Sequence, residues 1–263
     1  MPSQFSSKPT FLGLGAAKSA TTSIAQLLKQ HPEVGFPQNG KKELHFFDYD
    51  ENDNEDAIRD YLTGFEPNRV VGEFSPSYLF IKTCRDRIFK TLGEQTKFLV
   101  VLRDPVDRAY SHYCHAINVW GAEQYRAAGY PIEDLSFVDA IEAEEQRLAS
   151  GEYHIRHQSY FSKGLYAEQL KWYFDVFPRE LFRIGLFEDF TTHPQAFMQD
   201  MFQFLGVTES SKPVPGVAER LNFQSNGTVP LEQRAWLVER FLPSIVELEE
   251  LLGKDLSAWK RVA

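Results

Sequence analysis

The sequence predicts an α/β fold with a central parallel sheet covered by helices on both faces. Three observations predict it. Short apolar runs alternate with helical stretches along the chain, which implies βαβ units. The run Phe98-Leu99-Val100-Val101-Leu102 is apolar throughout, as a strand buried on both faces must be. At residues 10–31 an apolar run, a loop of small residues and the opening of a helix follow one another without a gap. A length of 263 residues suits one large α/β domain, 1–263.

The elements follow in order. Phe11 to Leu14 reads as a buried strand and Gly15 to Ala20 as a turn around one cation, Lys18. From Thr21 the pattern is helical, with Ile24, Leu27 and Leu28 on one face and Thr21, Thr22 and Ser23 in the opening turn. A strand, a small-residue loop and a helix N-terminus make an anion site, because loop N–H groups and the positive end of the helix dipole point to one place. Lys18 adds a full charge and the hydroxyls add donors. The spacing approaches the phosphate-loop pattern G-x-x-x-x-G-K-[ST], but Ala17 stands where its second glycine belongs. The alternative is a strand-to-helix turn whose lysine is only solvated.

His31-Pro32 ends that helix, and Val34 to Phe36 reads as a short strand. Next comes Asn39-Gly40-Lys41-Lys42-Glu43-Leu44-His45-Phe46-Phe47-Asp48. A carboxylate among cations and rings is a candidate general base; the alternative is a surface charge cluster whose phenylalanines plug the core. A helix is expected over Asp56–Phe65, a strand over Arg69–Glu73, then Ser75-Pro76-Ser77-Tyr78, and a helix over Lys82–Leu92. The strand Lys97–Arg103 ends in Arg103-Asp104-Pro105, so Arg103 sits at a strand's carboxyl end, where open α/β sheets bind ligands. A helix follows over Val106–Trp120, with Ser111 about two turns in. An arginine there can fork onto a phosphate or pair with Asp104 or Asp107. Gly121–Pro131 reads as a loop, Phe137–Leu148 as an amphipathic helix, and Gly151–Ser162, with His154, His157 and Tyr160, as a loop. A helix runs from Gly164 to Phe177, a strand over Leu181–Phe187 and a helix over Pro194–Leu205. Residues 207–229 form a long loop, and loops of that length are usually functional. Pro230–Leu252 reads as a helix pair or one bent helix.

Composition narrows the function. A net charge of −9 argues against a nucleic-acid partner, since such surfaces are basic. The two cysteines, Cys84 and Cys114, form no C-x-x-C pattern and suggest neither a disulfide framework nor a zinc site. No signal peptide or apolar run of membrane-spanning length is visible, so a cytoplasmic location is expected.

Three pieces together resemble the sulfotransferase family that uses 3′-phosphoadenosine 5′-phosphosulfate (PAPS). Gly15-Ala16-Ala17-Lys18-Ser19-Ala20-Thr21-Thr22-Ser23 looks like its 5′-phosphosulfate loop. Leu102-Arg103-Asp104-Pro105-Val106-Asp107-Arg108-Ala109-Tyr110-Ser111 looks like its 3′-phosphate motif. Lys42-Glu43-Leu44-His45-Phe46-Phe47-Asp48 is similar to the catalytic-glutamate segment of the branch that holds the heparan sulfate and bacterial enzymes. The likeness runs from residue 10 to about residue 230.

The resemblance implies a single P-loop-like α/β domain related to the nucleotide kinases, with PAPS as co-substrate, the bisphosphate PAP as product and no metal. By it, Lys18 would stabilise the leaving group and Ala17, Ser19, Ala20, Thr21, Thr22 and Ser23 would cradle the 5′-phosphosulfate. Arg103 and Ser111 would hold the 3′-phosphate, and Gln224, Ser225, Asn226 and Gly227 would close over it. Glu43 would take the acceptor's proton, with His45 as the alternative base. Three departures stand out. Ala20 replaces a glycine, which matters only for a left-handed backbone. Phe74 stands where heparan sulfate enzymes carry a second catalytic lysine. The 222–229 loop lacks their basic residues and their cysteine pair. With the acidic charge, these departures point away from heparan sulfate and toward a smaller or neutral acceptor: a small molecule, a carbohydrate or a lipid. The competing readings are a P-loop kinase-like phosphotransferase and a non-catalytic binder of adenosine bisphosphate.

Overall fold

The computed structural model describes residues 8–120, 126–129, 132–208 and 227–262. The chain divides into two compact units: Met1–Leu102 with Gln169–Phe223, and Arg103–Glu168 with Gln224–Ala263.

The first unit holds a five-stranded sheet made of β1 (Phe11–Gly15), β2 (Val34–Gly35), β3 (Val70–Phe74), β4 (Lys97–Leu102) and β5 (Phe182–Leu186). Its order is β2-β3-β1-β4-β5, and every pairing is parallel. β1 lies in the middle, with Phe11 opposite Gly72 on one side and Lys97 on the other. Its five residues are all buried, as are those of β3, because helices cover both faces. Along β4 the side chains alternate between faces. Leu99 and Val101 join Ile24, Leu27 and Leu28 of α1 (Thr21–Leu28) and Met198, Met201 and Leu205 of a later helix, Pro194–Leu205. Phe98 packs against Tyr173, Phe177 and Phe182 at centroid distances of 5.9, 4.7 and 4.6 Å. Each such buried ring or aliphatic contributes about 1.5–3 kcal/mol. Phe74 closes the end of β3 over Gly13, where an added Cβ would lie 2.0 Å from its ring. The unit also contains α2 (Glu55–Thr63) and α3 (Thr83–Leu92).

The second unit begins at Arg103. Asp104 caps α4 (Pro105–His115), accepting from Val106 N at 2.8 Å with Pro105 in the first turn. The expected continuation to Trp120 is there, but as a π-helical turn, Ala116–Trp120. The predicted helix 137–148 is two pieces, α5 (Phe137–Glu142) and α6 (Glu144–Ala149). The break at Ala143 accompanies a buried Glu144 whose carboxylate accepts from Phe161 N and Ser162 N at 2.6 and 2.8 Å. The expected loop 151–162 contains α7 (Glu152–His157), a helix too short to show an apolar period. The chain continues through α8 (Tyr166–Phe174), β5, α9 (Phe187–Thr192) and α10 (Pro194–Leu205). α11 (Leu231–Leu252) is one helix with Pro243 inside it. Its buried stripe of Leu237, Val238, Phe241, Ile245 and Leu248 runs past the proline on both sides and offsets the lost hydrogen bond.

Candidate active site

The anion loop lies between β1 and α1, in the first unit. Lys18 and Ala20 both have left-handed backbones, at φ 71° and 61°. The sequence made Ala20 a problem only in that conformation, and it adopts it. Ala20 is also the N-cap of α1; it offers no side-chain cap, and no acid stands in the first turn. The first N–H groups of α1 are thus left to other acceptors. Ser19 is fully buried, and its Oγ has no hydrogen-bond partner among the described residues. An orphaned buried hydroxyl beside an uncapped helix start fits the phosphosulfate end of a nucleotide.

The candidate base lies in the same unit. Lys42 Nζ donates to Glu43 Oε1 at 2.5 Å, Thr22 Oγ1 at 3.0 Å and Thr21 Oγ1 at 3.2 Å. One ammonium therefore joins Glu43 to the opening turn of α1. The other Glu43 oxygen meets His45 Nε2 at 3.2 Å, and His45 Nδ1 meets Asp48 at 2.8 Å. Ser77 Oγ donates to Asp48 at 2.5 Å. The row alternates cation and carboxylate. Burial works against the charge on Glu43, but the hydrogen bond from His45 and the Lys42 ammonium outweigh it and hold the carboxyl at about 2. Burial likewise opposes the imidazolium, yet the bonds to Asp48 and Glu43 raise His45 to about 9.

The backbone of this segment is held by β3 and the turn after it. Phe74 N donates to Lys42 O at 3.1 Å. Leu44 N reaches Glu73 at 3.4 Å, His45 N reaches Ser75 Oγ at 3.0 Å, and Phe46 N and Phe47 N reach Tyr78 Oη at 2.8 and 3.4 Å. Ser75 Oγ and Tyr78 Oη both donate to Glu73 at 2.7 Å. Glu73 is fully buried, and burial lifts its carboxyl to about 7. Sequence reading missed Lys42, Asp48, Glu73, Ser75, Ser77 and Tyr78. Their signal was position: Glu73 to Tyr78 lie at the carboxyl end of a strand beside the strand that feeds the loop.

Of the residues expected in the site, the first unit brings together Ala17, Lys18, Ser19, Ala20, Thr21, Thr22, Ser23, Glu43 and His45. Arg103 and Ser111 belong to the second unit. Ser111 is buried in α4. Arg234 donates to Asp104 at 2.5 Å and to Asp107 at 2.8 Å. Tyr166 Oη donates to the Arg103 carbonyl at 2.9 Å. Gly227 has a left-handed φ of 83°; Gln224, Ser225 and Asn226 lie outside the described residues.

A parallel sheet whose central strand opens into an uncapped, cation-bearing loop, with an ionised carboxylate tied to it, defines a P-loop-like transferase of an anionic group. Comparison with known proteins narrows the class. The family model described as the sulfotransferase domain matches residues 8–250. A crystallographically solved sulfotransferase from Alicyclobacillus acidocaldarius is 34% identical, with a TM-score of 0.76 and coverage of 97% of this chain and 99% of the other. Membrane-associated sulfotransferase kil1 of Dictyostelium discoideum is 22% identical over 94% of this chain. Heparan sulfate glucosamine 3-O-sulfotransferase 5 of Mus musculus is 27% identical over 76% of it. This chain spans 66% and 54% of the lengths of those two relatives. The chain belongs to the sulfotransferase family. Among the described residues no helix is long and apolar enough to cross a membrane.

Proposed function

We propose that this protein moves the sulfuryl group of PAPS to a hydroxyl or amine of a small-molecule, carbohydrate or lipid acceptor, and that residues 1–263 act as one sulfotransferase domain. The observation that carries the reading is the Lys42 ammonium, which ties the Glu43 carboxylate to the two threonines opening α1 at 3.0 and 3.2 Å.

In the reaction the acceptor oxygen or nitrogen attacks sulfur in line with the leaving oxygen. The new bond to sulfur forms as the bond between sulfur and the 5′-phosphate oxygen breaks. The acceptor's proton passes to Glu43, and PAP departs carrying the electron pair on its 5′-phosphate. Sulfuryl transfer resembles phosphoryl transfer in its loose transition state, so positioning and electrostatics do most of the catalysis. Lys18 stabilises the charge that builds on the leaving oxygen. Ala17 and Ser19 to Ser23 cradle the phosphosulfate, with Ser19 Oγ as the waiting hydroxyl. Arg103 and Ser111 hold the 3′-phosphate, and Gln224 to Gly227 close over it. His45 orients Glu43 rather than acting as base, because an imidazolium that keeps its proton to about pH 9 has no lone pair to offer at neutral pH.

The heparan sulfate relative makes a carbohydrate acceptor reasonable, while the net charge of −9 favours a neutral one over a polyanion. Two cysteines outside any paired pattern fit a reducing, cytoplasmic location. Calorimetric titration with adenosine 3′,5′-bisphosphate in the absence of magnesium tests the reading. Tight binding is expected, with none for ATP and magnesium. The reverse result would make the loop a kinase-like site and remove the roles given to Arg103 and Ser111.

A further inference from the structure

Lys41 and Lys42 are adjacent, yet only one is drawn inward. Lys41 is exposed, whereas the Lys42 side chain is 19% exposed. Its direction is set by the main chain, since its carbonyl accepts from Phe74 N at the end of β3. A lysine ammonium has three donors, and here they meet three oxygens: Thr21 Oγ1, Thr22 Oγ1 and Glu43 Oε1. A bond received from Lys42 occupies a lone pair on each threonine oxygen and leaves each O–H to point at an anion. The ammonium itself lies between the candidate base and the helix start that would receive the donor's charged end. The end of β3 supplies no cation there, because Phe74 is buried over Gly13.

We infer that Lys42 is a further catalytic residue: its ammonium meets the sulfonate oxygens of the bound donor and shares the charge on the sulfuryl group as it passes from the leaving phosphate to the acceptor. This rests on the proposed sulfuryl transfer from PAPS. When the donor binds, one or more of the three N–H bonds passes from threonine or Glu43 to sulfonate oxygen, and no proton changes hands. The electron pair of the breaking sulfur–oxygen bond still leaves on the 5′-phosphate, and the acceptor's proton still goes to Glu43.

The test compares two nucleotides that differ only in the sulfonate. Dissociation constants for PAPS and for PAP are measured without acceptor for the wild type, Lys42→Met and Lys42→Arg, and slow sulfate release from labelled PAPS is followed in parallel. For Lys42→Met, PAP binding should stay within about twofold while PAPS binding weakens about tenfold or more, as a lost charged hydrogen bond predicts. Lys42→Arg should recover part of the difference. Equal weakening of both nucleotides, or of neither, overturns the inference. So does slower sulfate release with an unchanged ratio of PAPS to PAP affinity, because Lys42 would then be only a counter-ion of Glu43. If the wild type binds neither nucleotide, the reading of PAPS-dependent transfer falls, and this role with it; if the wild type binds both and only the ratio test fails, that reading stands.

Discussion

Two stretches of the first unit meet at Lys42 and are built in opposite ways. The anion loop, residues 15–23, is shaped by backbone: left-handed conformations at Lys18 and Ala20, a helix start without a side-chain cap, and a buried Ser19 hydroxyl left unbonded among the described residues. In the base segment, residues 42–48, four consecutive N–H groups from Leu44 to Phe47 bond to the side chains of Glu73, Ser75 and Tyr78. The loop carries strain at two left-handed residues and an unmet donor, and an anionic ligand would meet the donor. The segment has spent its hydrogen bonds internally and holds a carboxylate in place before any ligand arrives. A transferase benefits from both, a receptive cradle and a rigid base.

Removing the charged groups at either end should break the comparison most visibly. Lys18→Ala is expected to cut turnover about a thousandfold without lowering the melting temperature, since a preorganised stabiliser of the leaving group is lost from a loop and not from the core. Glu43→Gln should cost about 10²–10⁴-fold in turnover while PAP binding stays within twofold. The two variants then separate by nucleotide affinity, which only Lys18→Ala should weaken. An inactive His45→Ala beside an active Glu43→Gln would move the base to the imidazole.

A middle-sized effect concerns the support beneath the base. Glu73 has its carboxyl raised from 4.5 to about 7 by burial. The folded state therefore holds a proton that the unfolded state has lost between those values. Its contribution is fully present below about 4.5 and disappears as pH rises through about 7, a fall on the order of 3 kcal/mol. Urea denaturation at pH 5 and pH 8 should show a larger fall in the wild type than in Glu73→Gln, which keeps only the part due to His45, raised from 6.5 to about 9. The same fall in both proteins would assign it to another group.

The smallest effect sharpens the account of the loop. Glycine adopts the left-handed conformation of Ala20 without the clash of a Cβ. Ala20→Gly should therefore stabilise the protein by about 0.5–1 kcal/mol after the entropy of the unfolded chain is counted. That corresponds to a rise of about 2–3 °C in melting temperature. A lower melting temperature would show that the methyl group packs well enough to outweigh the strain.

Much of this was legible in the residues. The strands at Phe11 and Phe98 announced themselves as unbroken apolar runs, and the helix after Ala20 as a periodic stripe, because a sheet covered on both faces leaves few positions for polar side chains. Lys18, Glu43 and Arg103 were visible as charges at strand ends or among rings. Less legible were α7, too short for a period to register, and the break at Ala143, which turns on where the Glu144 carboxylate finds its partners.

Sequence alone thus determined the parallel α/β architecture and the anion loop, because hydrophobic period and loop composition are local properties of the chain, and three motifs carried the resemblance to the family. Only the tertiary structure decided that Lys42 rather than Lys41 reaches the threonines of α1, that Ala20 is left-handed, and that Glu73, Ser75 and Tyr78 lie beneath the base. Those facts depend on β3 running parallel beside β1, which brings residues far apart in sequence within hydrogen-bonding distance. No local pattern records such a meeting.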